Sequence, residues 1–195
     1  MTSLAAPVLA DLVPGARVRD AALVAGATAF LAVAGQLAIP LPFTPVPLSL
    51  ATFAVVLSGA ALGPARAGLA ALLYLGLGVA GAPMFADGTA GWAFASFGYI
   101  LGFVPATMLV GWGARRRGDR RVASMVLAAA GASAVVYLVG VTWLMAFLGV
   151  GLREGLALGV LPFLPGDAVK VAAAALLLPG TWRAVEAFRR TDRGR

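Results

Sequence analysis

The chain of 195 residues contains no cysteine, no histidine and no asparagine, one glutamine (Gln36) and one lysine (Lys170). Without cysteine there is no disulfide framework and no thiolate chemistry; without histidine the commonest general base and most transition-metal sites are gone. No metal or cofactor is expected, and no glycine-rich loop followed by Lys and Ser or Thr is present to cradle a nucleotide phosphate. Charge is scarce too: 12% of residues are charged against 61% apolar, and the mean hydropathy of +0.94 lies far outside that of a soluble domain. The net charge of +7 gathers at segment ends and forms no stripe with interleaved aromatics, so it is read as membrane topology and not as a nucleic-acid surface.

What is present is a series of long uncharged runs, residues 21–65, 67–86, 88–114 and 122–152. A helix needs roughly 20 apolar residues to cross a bilayer, so each run holds at least one crossing. The first divides, because "IPLPFTPVPLS" places prolines at 40, 42, 45 and 47 and removes donors that a continuous helix would need. The expectation is an all-α integral membrane protein, a single transmembrane domain over 1–195 with six transmembrane helices. Their spans are 21–39, 48–62, 67–81, 92–113, 122–149 and 157–182, the last broken near 162–166. Six crossings put both termini on one side, where 13 of the 15 basic residues also fall; the positive-inside rule makes that side the cytoplasm. Residues 1–20 read as a cytoplasmic lead-in to an uncleaved first span. Trp112 and Trp182 at inner helix ends and Trp92 at an outer one fit an interfacial belt, which Trp143 fits less well.

The exception to this oily pattern is "GVLPFLPGDAVK", which sets Asp167 and Lys170 three residues apart inside an apolar run. A helix from Asp167 to the residue before Pro179 has 12 residues, a rise of about 18 Å against the roughly 30 Å hydrocarbon core, so the preceding Pro-Gly segment must enter the membrane as well. Irregular backbone at that depth needs protein or a wet cavity around it. Positions i and i+3 share a helix face, and ionisable residues inside a membrane are paired or functional because burying them alone is expensive. The alternative is that Asp167 caps the helix and Lys170 snorkels outward. Gln36 joins helices or touches a ligand, and Phe43, Met84, Phe85, Tyr99, Tyr137 and Trp143 are candidates for an apolar pocket wall. Ala21, Ala25 and Ala29 place a small residue at every fourth position of the first span, which lets another helix approach, within the chain or from a partner.

The strings "IPLPFTPVPLSLATFAVVLSGAALGP", "LLYLGLGVAGAPMF", "GYILGF", "YLVGVTW" and "GVLPFLPGDAVK" occur in this order and closely resemble the BioY family, the biotin-binding S components of energy-coupling factor vitamin transporters. The resemblance implies a six-helix bundle in the bacterial cytoplasmic membrane whose outward pocket binds biotin, with Asp167 and Lys170 as its paired polar positions. It also implies Phe43, Thr44, Val46, Tyr74, Tyr99 and Trp143 as further contacts. Family members assemble with a membrane coupling subunit and two ATPase subunits, and the Ala21, Ala25 and Ala29 face would be the docking surface. Two departures stand out: Phe97 occupies a position where the family often has glycine, and no Arg or Asn lies between Arg66 and Arg115, where some members place polar ligand contacts. Competing readings are an S component for another vitamin and a ligand-free membrane assembly protein. An intramembrane enzyme is disfavoured because a lone carboxylate makes a poor catalytic constellation.

Overall fold

In lipid every backbone polar group must find its partner within the protein, which makes helices the default for uncharged runs. The computed structural model describes residues 6–15 and 17–193. Helix α1 (Arg17–Gln36) leads into a short antiparallel hairpin, β1 (Ala38–Ile39) and β2 (Leu48–Ser49), with Ala38 opposite Ser49. There follow α2 (Ala51–Leu62), α3 (Pro64–Val79), α4 (Phe97–Ala114), α5 (Val122–Leu148), α6 (Leu152–Gly159) and α7 (Leu164–Arg193). By length and composition α1, α4, α5 and α7 qualify as membrane spans, while α2 and α3 are apolar but shorter. Between α2 and α3 the chain reverses in one residue, because Gly63 adopts a φ of +79° and Pro64 starts the next helix where its missing N–H is not needed.

The centre of the bundle is the α4–α5 pair, drawn together by glycines that meet large side chains. A Cβ on Gly140 of α5 would lie 2.5 Å from the Tyr99 ring of α4, and one on Gly98 would lie 2.2 Å from the Cβ of Trp143. At the end of the bundle carrying the α2–α3 turn, the N-terminal segment folds underneath with Val8 fully buried. Asp11 there accepts hydrogen bonds from Arg66 at 2.8 Å and Arg115 at 2.6 Å.

Several boundaries differ from the sequence expectation. Helix α1 begins at Arg17 because helix formation does not wait for the hydrocarbon boundary, and it ends at Gln36 where the hairpin takes over the backbone hydrogen bonds. Residues 92–96 remain in a loop ahead of α4. The break in the last segment falls at residues 160–163, so that Pro165 and Gly166 belong to the first turn of α7, where a proline lacks nothing a helix start requires. Helix α7 runs on to Arg193 where the expected span stopped at 182; it passes through Pro179 and has 30 residues in all, the single missing donor being outweighed by the bonds on either side. Trp182 is 3% exposed and is no belt residue; its indole N–H donates to Asp119 and Arg120 stacks on its ring at 4.1 Å.

Candidate ligand-binding site

At the end of the bundle that carries the hairpin, the helices surround a cavity of about 200 Å³. That is below the roughly 300–1,000 Å³ of drug-sized pockets and is the scale of a single compact ligand. Its apolar wall comes from Tyr74 on α3, Tyr99 and Phe103 on α4, Val136 on α5 and Phe163 just ahead of α7. Phe85, from the α3–α4 loop, packs edge-on against Tyr74 with ring centroids 5.3 Å apart. The Tyr99 hydroxyl donates to the carbonyl of Gly159 at 2.8 Å, which fixes the ring against the wall and ties α4 to the end of α6.

Into this apolar surround α7 projects an ion pair, the least exposed among the described residues. Lys170 Nζ donates to Asp167 Oδ1 at 2.9 Å and to Thr52 Oγ1 of α2, also at 2.9 Å. Tyr137 of α5 donates its hydroxyl to Asp167 Oδ2 at 2.5 Å. Helices α5 and α7 thus meet at this carboxylate, which α2 reaches only through Lys170; Asp167 is 8% exposed as a residue and sits in the first turn of α7, where the peptide dipoles favour negative charge. An ammonium has three donors and a carboxylate about four acceptor sites. After the contacts above, Lys170 keeps one N–H and Asp167 keeps two lone-pair sites. Ser133, one turn before Tyr137 on the same face of α5, adds a hydroxyl to the lining. A buried ion pair is weak evidence for stability, because desolvation offsets the attraction; spare hydrogen-bonding capacity facing a cavity is what a polar ligand uses.

The rim is made of loops. Pro45, Pro47 and Ser49 come from the hairpin, and Asp87 and Thr89 from the α3–α4 loop. Gln36 holds the second loop to α1, its amide donating to the carbonyls of Pro83 at 3.0 Å and Phe85 at 2.8 Å while its oxygen accepts the Gly88 N–H at 3.2 Å. It is a joining residue.

Of the residues singled out in the sequence, Asp167, Lys170, Val46, Tyr74, Phe85, Tyr99 and Tyr137 line the cavity, and Phe43, Thr44, Met84 and Trp143 do not. Phe43 is 61% exposed because it sits in the turn that the Thr44 N–H closes on the Leu41 carbonyl, while Thr44 and Val46 are buried. Thr44 uses its hydroxyl to hold the loop to the carbonyl of Leu158 at 2.8 Å. Trp143 lies behind the wall, its indole N–H on the carbonyl of Phe94 at 3.0 Å and its ring edge-on to Phe97. Ala21, Ala25 and Ala29 are all exposed on α1, beside the stripe that buries Val24, Thr28 and Leu31. Thr52, Ser133 and the hydroxyl of Tyr137 went unassigned in the sequence. A Thr or Ser within an apolar helix usually bonds its own backbone, and only the fold brings Tyr137 to Asp167 across 30 residues.

Known proteins share this architecture. A profile of the BioY family matches residues 5–187. The probable biotin transporter BioY of Pyrococcus horikoshii is 37% identical over 164 residues, covering 83% of this chain and 94% of that protein. The biotin transporter BioY of Rhizobium etli is 34% identical over 170 residues, covering 82% and 90%. The crystal structure of the S-component for biotin from an ECF-type ABC transporter superposes with a TM-score of 0.76 at 24% identity, over 86% of this chain and 92% of that one. By its sequence match along nearly the whole length and by its fold, the chain belongs to the BioY family.

Proposed function

We propose that this chain is the substrate-capture subunit of an energy-coupling factor biotin transporter, binding biotin in the cavity beneath the proline hairpin. The observation that carries the reading is the Asp167–Lys170 pair, which faces an aromatic cavity with hydrogen-bonding capacity to spare. A cyclic urea presents N–H and C=O groups side by side. Asp167 accepts from the first while the third donor of Lys170 reaches the second, and the sulfur ring and alkyl chain lie against Tyr74, Tyr99 and Phe103. Tyr137 and Thr52 hold the pair in place, so recognition does not wait on side-chain ordering.

Six crossings complete the reading, with α2 and α3 as short spans and α7 as the last. The basic end that holds Arg66 and Arg115 is then cytoplasmic together with both termini, and the cavity opens outward from a bacterial cytoplasmic membrane. The exposed Ala21, Ala25 and Ala29, beside an apolar groove formed by Gly26 and Phe30 of α1 with Leu57 and Ala61 of α2, are the docking face for a membrane coupling subunit. ATP hydrolysis belongs to a pair of partner ATPases, and this chain is a transport subunit and not an enzyme.

Equilibrium binding of biotin to the purified protein in nanodiscs, with thiamine and riboflavin as controls, tests the proposal. Wild type binds biotin saturably and selectively, and Asp167→Asn and Lys170→Ala each weaken it by at least about tenfold, or ~1.4 kcal/mol. A folded wild type that ignores biotin overturns the assignment; biotin binding indifferent to both substitutions removes the pair from the site.

A further inference from the structure

Among the described residues that line the cavity, three carry charge: Lys170, Asp167 and, at the rim, Asp87. The one cation is committed, since Lys170 spends two of its donors on Asp167 and Thr52 and lies 2.9 Å from each. Asp87 stands exposed on the α3–α4 loop at a φ of +55°. The rim beside it is furnished with the hydroxyls of Ser49, Thr89 and Ser96, groups that meet a neutral amide or ester as readily as a carboxylate. Arg153, on α6, is not in the lining.

A site built to hold a carboxylate in a low-dielectric pocket needs a cation or a fork of donors aimed at it, and the lining supplies an acid at the mouth instead. We infer that this protein recognises the ring end of its ligand and leaves the carboxylate unread at the rim, so that biotin amides and esters are ligands of the same standing as biotin itself. The inference rests on the proposed biotin function and narrows it: the substrate class is a cyclic urea on an apolar chain, whatever caps the far end. With Lys170 held on the ring side, removing its charge weakens acid and amide alike.

The test is competition binding on one nanodisc preparation with biotin, biotinamide and biotin methyl ester, repeated on Lys170→Met. The expected result is that both neutral derivatives bind within about threefold of biotin, and that Lys170→Met shifts biotin and biotinamide by the same factor. A loss of a charge-assisted contact on neutralising the carboxylate appears as a drop of about tenfold or more. If the neutral derivatives fall by that much while biotin binds, the inference is overturned and the biotin function stands. If Lys170→Met removes the preference between acid and amide, Lys170 is the carboxylate partner and the inference is equally overturned. If the folded wild type binds none of the three, the function beneath it fails as well.

Discussion

At the scale of single residues the site depends on one carboxylate, bonded from α5 and α7 and linked to α2 through Lys170. Tyr137 gives Asp167 its shortest hydrogen bond and ties it to a second helix. Tyr137→Phe keeps the ring and removes only the donor, so biotin affinity falls by about five- to tenfold, ~1–1.4 kcal/mol, while the melting temperature in detergent changes little. An affinity equal to wild type means that Lys170 alone orients the acid. Asp167 and Lys170 were legible in the sequence because a charge in an apolar run announces its own cost. Phe43 lies outside the cavity lining because the proline-rich turn faces it outward, which no residue pattern in the segment announces, and Thr52 was silent because one hydroxyl on an apolar helix has no distinguishing pattern.

At the scale of elements, the proline spacing and the uncharged runs were enough to separate the helices, whose ends then moved by a few residues. The course of α7 was legible only in part: the expected span already ran through Pro179 to 182, but the break lies at 160–163 and the helix continues to Arg193. The α4–α5 contact is equally hidden: nothing in "GYILGF" or "YLVGVTW" says that Gly140 receives the face of Tyr99. Gly140→Ala puts a methyl 2.5 Å from that ring, an overpacking that destabilises by about 2 kcal/mol. Because Tyr99 also lines the cavity, the same change weakens biotin binding. Thermal unfolding with and without ligand measures both, and a wild-type melting temperature refutes the tight packing.

At the scale of the whole molecule the two ends of the bundle do different work. One end encloses the cavity, and the other is knitted by charge, with Asp11 at its centre. Burial alone would raise the Asp11 carboxyl, but hydrogen bonds from Arg66, the Val8 N–H and Arg115 prevail and hold it below its ordinary 3.8. A lowered folded pKa means stabilisation that is present above 3.8 and is lost as pH falls through the folded value. Asp119 has the opposite sign: burial raises its pKa more than the Trp182 N–H lowers it, so its contribution is largest below 3.8 and fades as pH rises. Melting temperatures followed to acid pH therefore fall in wild type as Asp11 titrates, and Asp11→Asn starts lower at neutral pH with a shallower acid decline. Parallel curves for the two proteins show that Asp11 is not the group lost in acid.

The hairpin over the cavity bears on how its movement is to be watched. Between residues 40 and 47 every second or third position is proline, which has no amide hydrogen, so hydrogen exchange sees only Leu41, Phe43, Thr44 and Val46 in this segment at the cavity rim. The same chain has no cysteine, and Phe43 points to solvent. A single cysteine placed there is the molecule's sole thiol, and a spin label or fluorophore on it reports the hairpin's motion with no background to remove.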